Sequence, residues 1–348
     1  MSNNYKHILN INNMSSDTWN EEGIDNKMSS CTTKESKLNA IVNILRDNFY
    51  GCDILLCLFM AALQSYRVDR CLRPFPTMYI KESNKDIDNL RRTCETIPTL
   101  DNILKSPQMC SNEVIELLLW LFCQKEQPQL KKISYNEVNV PSEIRKSFQP
   151  HYTFEVIYPE RAETTWHKRK GSRSSFLGYH GSQLDNFYSI LKVGLQQHFG
   201  IAKELLYGKG IYLTSEITVS MTYAPFSLSW VHSTLGGRKS IIAVCEVIDD
   251  IDKVKCKDAK FKERAVNQGS ISGSIPDKYF VVTDSDMVRL KYLFVYKKDS
   301  AFTMKSWIYN NLTLVLIVLY VIILFCIGFF QGPTWARIQN RLYRMIYS

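Results

Sequence analysis

Near the middle of the chain run Tyr179-His180-Gly181-Ser182, then Gly208-Lys209-Gly210-Ile211-Tyr212, then Tyr223. Tyr212 follows His180 by 32 residues (212 minus 180), and Tyr223 follows Tyr212 by 11 (223 minus 212). Taken singly these pieces say little: a lone histidine is usually structural, glycines around a lysine usually make a turn, and isolated tyrosines are usually core aromatics. The ordered set is informative because it supplies one imidazole, two flexible turns and two rings at fixed separations. Around it the texture is β: Phe154 to Tyr158, Ser240 to Val247, Tyr279 to Thr283 and Val288 to Tyr296 are rich in Val, Ile, Phe and Tyr. Two short helices interrupt these strands. Leu184 to Val193 is apolar at Leu184, Phe187, Ile190 and Leu191 and is closed by Gly194. Ile217 to Tyr223 is expected to start from a Ser215 cap. A β-rich domain over residues 151–298 follows.

In order and spacing, His180-Gly181-Ser182, Gly208-x-Gly210-x-Tyr212 and Tyr223 resemble the diphtheria-toxin-like ADP-ribosyltransferases, the family of poly- and mono-ADP-ribosyltransferases. The resemblance implies NAD as substrate, protein acceptors and no metal. Cleaving NAD at the nicotinamide bond builds positive charge on the ribose, much as glycoside cleavage does, and nicotinamide leaves as a neutral amide. Such a site can therefore be made of aromatics, hydroxyls and one neutral imidazole. By the resemblance, His180 bonds the nicotinamide-side ribose, and Gly181 offers its backbone to the carboxamide where a side chain would hinder approach. Tyr212 and Tyr223 clamp the ring. Ser220, three residues before Tyr223 and so on one helical face, bonds the carboxamide oxygen, and Ser182 completes the cofactor-binding set.

The third catalytic position after His180 and Tyr212 falls in Ile275-Pro276-Asp277-Lys278-Tyr279-Phe280. It places Tyr279 where polymerising members carry a glutamate. A tyrosine with its pKa near 10 is a poor base at neutral pH, so transfer of a single ADP-ribose is expected. Asp277, two residues away and on the same strand face under regular pairing, is the alternative carboxylate.

Upstream, residues 1–37 are rich in Asn, Ser, Asp and Glu and read as a disordered tail. Residues 38–123 turn helical: Leu38, Ile41, Val42, Ile44 and Leu45 suit one helix, and Ile54 to Ala62 is nearly all apolar, as at the centre of a small bundle. Ser111 caps a run from Glu113 to Cys123. A polar connector, 124–150, links this module to the β-rich domain.

Downstream, Leu312 to Phe330 is 19 residues without a charge, flanked by Trp307, Tyr309 and Trp335. At about 1.5 Å per residue it is long enough to span a membrane. Residues 331–348, with Trp335, Ile338, Leu342, Met345 and Ile346 at helical spacing between arginines, form a lumenal tail. The expected architecture is α+β: a small all-α module, a β-rich transferase domain and a single C-terminal transmembrane helix. Together with the catalytic residues this resembles tail-anchored, single-unit-transferring members of the family in the endoplasmic reticulum, with the catalytic domain cytosolic, membrane-proximal proteins as acceptors and self-modification.

Composition adds exclusions. The chain has 348 residues, 45% hydrophobic, with a net charge of +9. Its 10 cysteines include no CxxC pair, which argues against a zinc site or a disulfide framework. The basic cluster Arg161, His167, Lys168, Arg169, Lys170 and Arg173 reads as a solvated loop, or one that attracts NAD's diphosphate, and no nucleic-acid partner is expected. Gly208-Lys209-Gly210 lacks the third glycine of a dinucleotide-binding Rossmann turn. The alternative of a different class is a catalytically inactive, membrane-tethered scaffold that binds NAD or ADP-ribose.

Overall fold

A kinked helix sets the frame. Thr33 caps α1 (Lys34–Gln64) by accepting from the Ser36 amide, and every residue from Gly51 to Leu63 is buried. The two helical runs expected here are one helix, bent at Asn48 (φ −146°, ψ 56°). The Asn48 side chain donates to the Leu130 carbonyl (2.8 Å) and accepts from the Gly51 amide (3.2 Å), replacing helical bonds at the bend. Gly51 is required there, since a Cβ would lie 2.0 Å from Leu130 O. Around α1 pack α2 (Val68–Cys71), α3 (Ile87–Glu95), α4 (Leu100–Lys105) and α5 (Asn112–Phe122), the last capped by Ser111 as its sequence predicts; an exposed hairpin, β1 (Ile80–Lys81) and β2 (Asn84–Lys85), precedes α3. The computed structural model describes residues 33–138, 148–197, 206–258, 262–298, 308, 311–331 and 333–346. The expected N-terminal tail lies outside them up to residue 32.

The connector is more than a linker. Its residues β3 (Gln129–Ile133) pair along β4 (Tyr152–Ile157) as the outer strand of a nine-stranded sheet. Leu130 is the reason: it is 3% exposed, and its carbonyl holds Asn48. The chain continues through α6 (Glu160–Lys170), β5 (Ser175–Gly181), α7 (Phe187–Val193), β6 (Ile211–Thr214), α8 (Ile217–Thr222), β7 (Ser227–Leu228), β8 (Arg238–Ile248), β9 (Val254–Lys255), β10 (Tyr279–Val282) and β11 (Val288–Lys297). The antiparallel order is β3-β4-β11-β8-β5-β6-β10-β9, with β7 also on β8. Strand β8 is buried on both faces. Ile241, Ala243, Cys245 and Val247 join the core shared with the helices, while Ile242 and Val244 join a second core with Tyr135, Tyr179, Ile217 and Phe294. The helical module and the sheet domain thus share one core, and both fall in the unit that ends at Lys298.

A polar contact also fastens them. Asp53 is fully buried in the apolar run of α1 and accepts from the Thr234 amide (2.8 Å), the Thr234 hydroxyl (2.6 Å) and the Ser233 hydroxyl. Lys239 of β8, also fully buried, donates to Ser229 Oγ (2.9 Å), Ser233 Oγ (3.2 Å) and the Gly236 carbonyl. The two charges meet around Ser233.

The basic cluster at 161–173 is not a loop. It builds most of α6, and several of its charges are paired: Arg169 with Asp286, Arg173 with Asp250 and Lys170 with Glu246, while His167 Nε2 lies 3.5 Å from Glu163. Glu163 also holds Arg289, whose guanidinium lies 4.5 Å from the Trp166 ring centre.

The second unit, from Asp299 on, contains α9 (Leu312–Gln331) and α10 (Pro333–Ile346), which contact each other. Nearly every side chain described in α9 is about half exposed, from Leu312 at 50% to Ile327 at 49%. Among the described residues no helix is long and apolar enough to cross a membrane. The side chains described in α9 stop at Gly328, short of the full uncharged run, and Trp307 and Tyr309 lie outside the described residues.

Candidate active site

Three adjacent strands carry the residues the sequence singled out: His180 on β5, Tyr212 on β6 and Tyr279 at the head of β10. Tyr212 pairs with Val281 and Tyr279 with Thr214, so the two tyrosines share one sheet face. Neither β5 nor β6 stood out as a strand in the sequence, because Gly178, Gly181 and the serines before them dilute the pattern. Gly178 is there for packing: a Cβ would lie 3.3 Å from Leu213 Cβ.

His180 is partly accessible, and the protein around its ring drives its pKa below the ordinary value, partly offset by a bond to the Tyr212 carbonyl. That carbonyl lies 3.0 Å from Nδ1. A carbonyl only accepts, so Nδ1 carries the hydrogen and Nε2 presents a lone pair. At pH 7 the ring is neutral and offers an acceptor.

Gly181 lets two backbones touch. A Cβ on it would lie 1.9 Å from the Ser220 carbonyl, so the start of α8's last turn is pressed directly on β5. Ser220 itself is 1% exposed, and its Oγ has no hydrogen-bond partner among the described residues. Tyr223 closes α8 and is exposed. The expected Ser215 cap is not used. The helix follows Glu216, whose amide is bound by Thr214 Oγ1 (3.1 Å), because Ser215 extends β6 by donating its amide to Lys278 O (3.0 Å).

Ser182 Oγ accepts from Asn186 Nδ2 (2.8 Å), one turn further on. Asn186 and Asp185 are tied to the helical module: Arg67 reaches both at 3.4 Å and Gln183 at 2.8 Å, while Ser65 donates to Asp185 (2.6 Å). Beside them lies a cavity of about 310 Å³ lined by Gln64, Ser65, Gln183, Asp185, Pro225 and Leu228 among others.

Tyr212 is half-buried, and burial raises its pKa. Its hydroxyl donates to Gly208 O (2.7 Å) and accepts from the Tyr207 amide (3.0 Å). Tyr207, a residue sequence reasoning passed over, sets its ring 6.4 Å from that of Tyr212 and 5.9 Å from that of Tyr279. Its only signal was adjacency to the Gly-Lys-Gly turn. Burial, then the neighbouring Tyr223 and Tyr207, raise the Tyr279 pKa above its ordinary value. Asp277 precedes β10 and is ion-paired with Lys257 (2.9 Å).

The arrangement offers a neutral imidazole acceptor, an unpartnered buried hydroxyl, a close backbone approach and four tyrosine rings, which is equipment for holding a flat amide-bearing ring and a ribose.

Comparison with known proteins fits this geometry. Residues 43–122 match the family described as the ARTD15 N-terminal domain, and residues 146–248 match the poly(ADP-ribose) polymerase catalytic domain. The chain is 33% identical over 313 residues to the protein mono-ADP-ribosyltransferase PARP16 of Mus musculus, an alignment covering 84% of this chain and 94% of that protein. It is 34% identical over 314 residues to the PARP16 of Homo sapiens, with the same coverage, 84% and 94%. The protein mono-ADP-ribosyltransferase PARP8 of Homo sapiens is 22% identical over 291 residues, 70% of this chain and 31% of that protein.

Proposed function

The chain belongs to the poly(ADP-ribose) polymerase family of ADP-ribosyltransferases, and on that premise we infer that it is a protein mono-ADP-ribosyltransferase. It moves one ADP-ribose from NAD to side chains of proteins, itself included, and releases nicotinamide. The observation that carries this reading is Ser220, whose backbone is pressed against Gly181 and whose buried hydroxyl has no partner among the described residues. Leaving such a group unbonded costs about 1–3 kcal/mol, and the carboxamide of nicotinamide supplies the missing bond. The NAD substrate fits the residues present.

In this reading the Gly181 backbone and Ser220 hold the carboxamide, and the ring lies against Tyr212 with Tyr223 on its other side. His180 Nε2 accepts from a ribose hydroxyl. As the bond from ribose C1′ to the nicotinamide nitrogen breaks, the electron pair leaves with nicotinamide and positive charge spreads onto the ribose. The acceptor side chain then bonds to C1′ and loses its proton to solvent. Tyr279, with its pKa raised, does not take a proton from a ribose hydroxyl of attached ADP-ribose at neutral pH, so no chain grows.

We further propose that Leu312 to Phe330 anchors the enzyme in the endoplasmic-reticulum membrane with the transferase domain in the cytosol. The support is the uncharged run, its aromatic flanks and the half-exposed apolar side chains of α9. Anchoring raises the effective concentration of membrane-proximal acceptors.

The test is labelled NAD with the purified full chain, beside His180→Ala and Tyr212→Ala. A discrete labelled band lost in both variants is expected. A high-molecular-weight smear would refute single-unit transfer. A folded chain that binds NAD and acquires no label would make it an inactive binder.

A further inference from the structure

The turn that leads into β6 is held from two sides. Gly208 lies at φ +80° and Gly210 at φ +156°; a Cβ would lie 2.5 Å from Gln268 O at the first and 2.5 Å from a Val281 methyl at the second. From within, the Tyr212 hydroxyl spans the turn, donating to Gly208 O and accepting from the Tyr207 amide. From outside comes Asn267, 6% exposed, whose amide nitrogen donates to Tyr207 O (2.9 Å) and Lys209 O (3.0 Å). Both partners are carbonyls, which only accept, so the NH2 of Asn267 must face them and both its hydrogens are used. The next residues extend the grip: the Ile271 and Ser272 amides donate to Leu206 O at 3.0 and 2.9 Å.

A phenol has one hydrogen, and that of Tyr212 is committed to Gly208. It has none for NAD. We propose that Asn267 is a positioning residue for the NAD site: through the Gly208–Gly210 turn it fixes the planes of the Tyr207 and Tyr212 rings, and Tyr212 meets nicotinamide with its ring face alone. The proposal rests on the transferase reading. One amide thereby orients two rings at once, since Tyr207 lies against both Tyr212 and Tyr279. The bland alternative is that Asn267 merely closes a loop, as buried asparagines often do. The two differ in what they do to a ligand that sees only the ring stack.

Nicotinamide is that ligand. The experiment uses the full chain in detergent micelles, as wild type, Asn267→Ala, Tyr212→Phe and the double variant. It measures KM for NAD, kcat, the inhibition constant of nicotinamide, and the Kd of both ligands by calorimetry. Asn267→Ala is expected to raise KM for NAD and the nicotinamide constant together by about tenfold, the size of one aromatic stacking contribution, with kcat within about threefold of wild type. Tyr212→Phe, which keeps the ring and removes both hydroxyl bonds, is expected to raise both binding constants by a similar factor. The double variant should be far less than additive, because both side chains hold one turn. An unchanged nicotinamide constant in folded Asn267→Ala overturns the proposal, as does a fall in kcat alone or an additive double variant. Should Asn267→Ala not fold, unchanged constants in Tyr212→Phe overturn it equally. Calorimetry reads the turn whether or not transfer occurs, so a wild type that binds NAD but does not label contradicts transfer, while the NAD-binding part of that reading, on which this proposal rests, is judged by the binding constants.

Discussion

Two helices of this chain read almost alike in sequence and end in opposite surroundings. From Gly51 to Leu63, α1 is buried on every side, with Leu56 and Phe59 at 0% exposure. From Leu312 to Gly328, α9 is comparably apolar, yet Leu316 is 56% and Leu324 49% exposed. What separates them is polar detail. The first carries Asn48, Gly51 and Asp53, each matched to an atom elsewhere in the unit: the Leu130 carbonyl, the close approach of that same carbonyl, and the Ser233–Thr234 segment. The described side chains of the second are mostly exposed. A helix packed in a protein core carries polar residues matched to partners, whereas on the anchor reading proposed above α9 needs only to be uniformly apolar.

The largest test of that contrast is Leu56→Asp. A carboxylate placed at a fully buried position without a partner costs more than the marginal stability of about 5–15 kcal/mol can absorb, and the transferase unit is expected to lose its cooperative thermal transition. Asp53→Ala comes next. It strips Ser233 and Thr234 of their acceptor and removes the opposite charge around buried Lys239, for a loss of about 3–5 kcal/mol in denaturant titration. A loss under 1 kcal/mol would mean the contact does not specify the pairing of module and sheet.

In α9, Val318→Arg is expected to cost about 2.5–3.5 kcal/mol of membrane insertion and to shift the chain toward the soluble fraction after alkaline extraction, while kcat in detergent stays unchanged. Equal membrane retention would sink the anchor reading. The smallest effect concerns Lys192 on α7, which packs against α1. Burial lowers its pKa to about 8, below its ordinary 10.5. The unfolded chain then binds more protons than the folded one between these values, so this residue's contribution to stability is unfavourable at neutral pH and is relieved as pH rises from about 8 toward 10.5. Lys192→Met is expected to raise Tm at pH 7 and to remove that alkaline gain; an unaltered pH profile would refute it.

The residues that act through type were legible: an imidazole, a Gly-x-Gly turn and rings at set distances identify chemistry wherever the backbone puts them. His180, Tyr212, Tyr223 and Tyr279 were singled out this way, and the fold sets His180, Tyr212 and Tyr279 on three adjacent strands. Residues that act through place were not. Asn267 sits in Asn-Gln-Gly-Ser-Ile-Ser-Gly-Ser, which reads as a solvated loop, and nothing local says that its amide reaches the Gly208 turn. Leu130, between polar neighbours, looked like part of a connector because a lone apolar residue on an outer strand has no period to reveal it. The cluster at 161–173 misled for the converse reason: its charges made a helix look like a loop, and their partners Glu246, Asp250 and Asp286 lie far along the chain.

The strand order also imposes a sequence in time. Strand β11 lies between β4 and β8, yet 130 residues (288 minus 157, minus 1) separate it from the end of β4. At a synthesis rate of about 5–20 residues per second, roughly 6–26 s pass between the two. Throughout that interval β4 carries an unsatisfied ladder, and for its last 39 residues (288 minus 248, minus 1) so does β8, leaving β5 and β6 to hang from a strand whose outer neighbour does not yet exist. The pocket is therefore among the last parts of the sheet domain to set, and a nascent chain held by a chaperone along β4 or β8 would be one that cannot yet bind NAD.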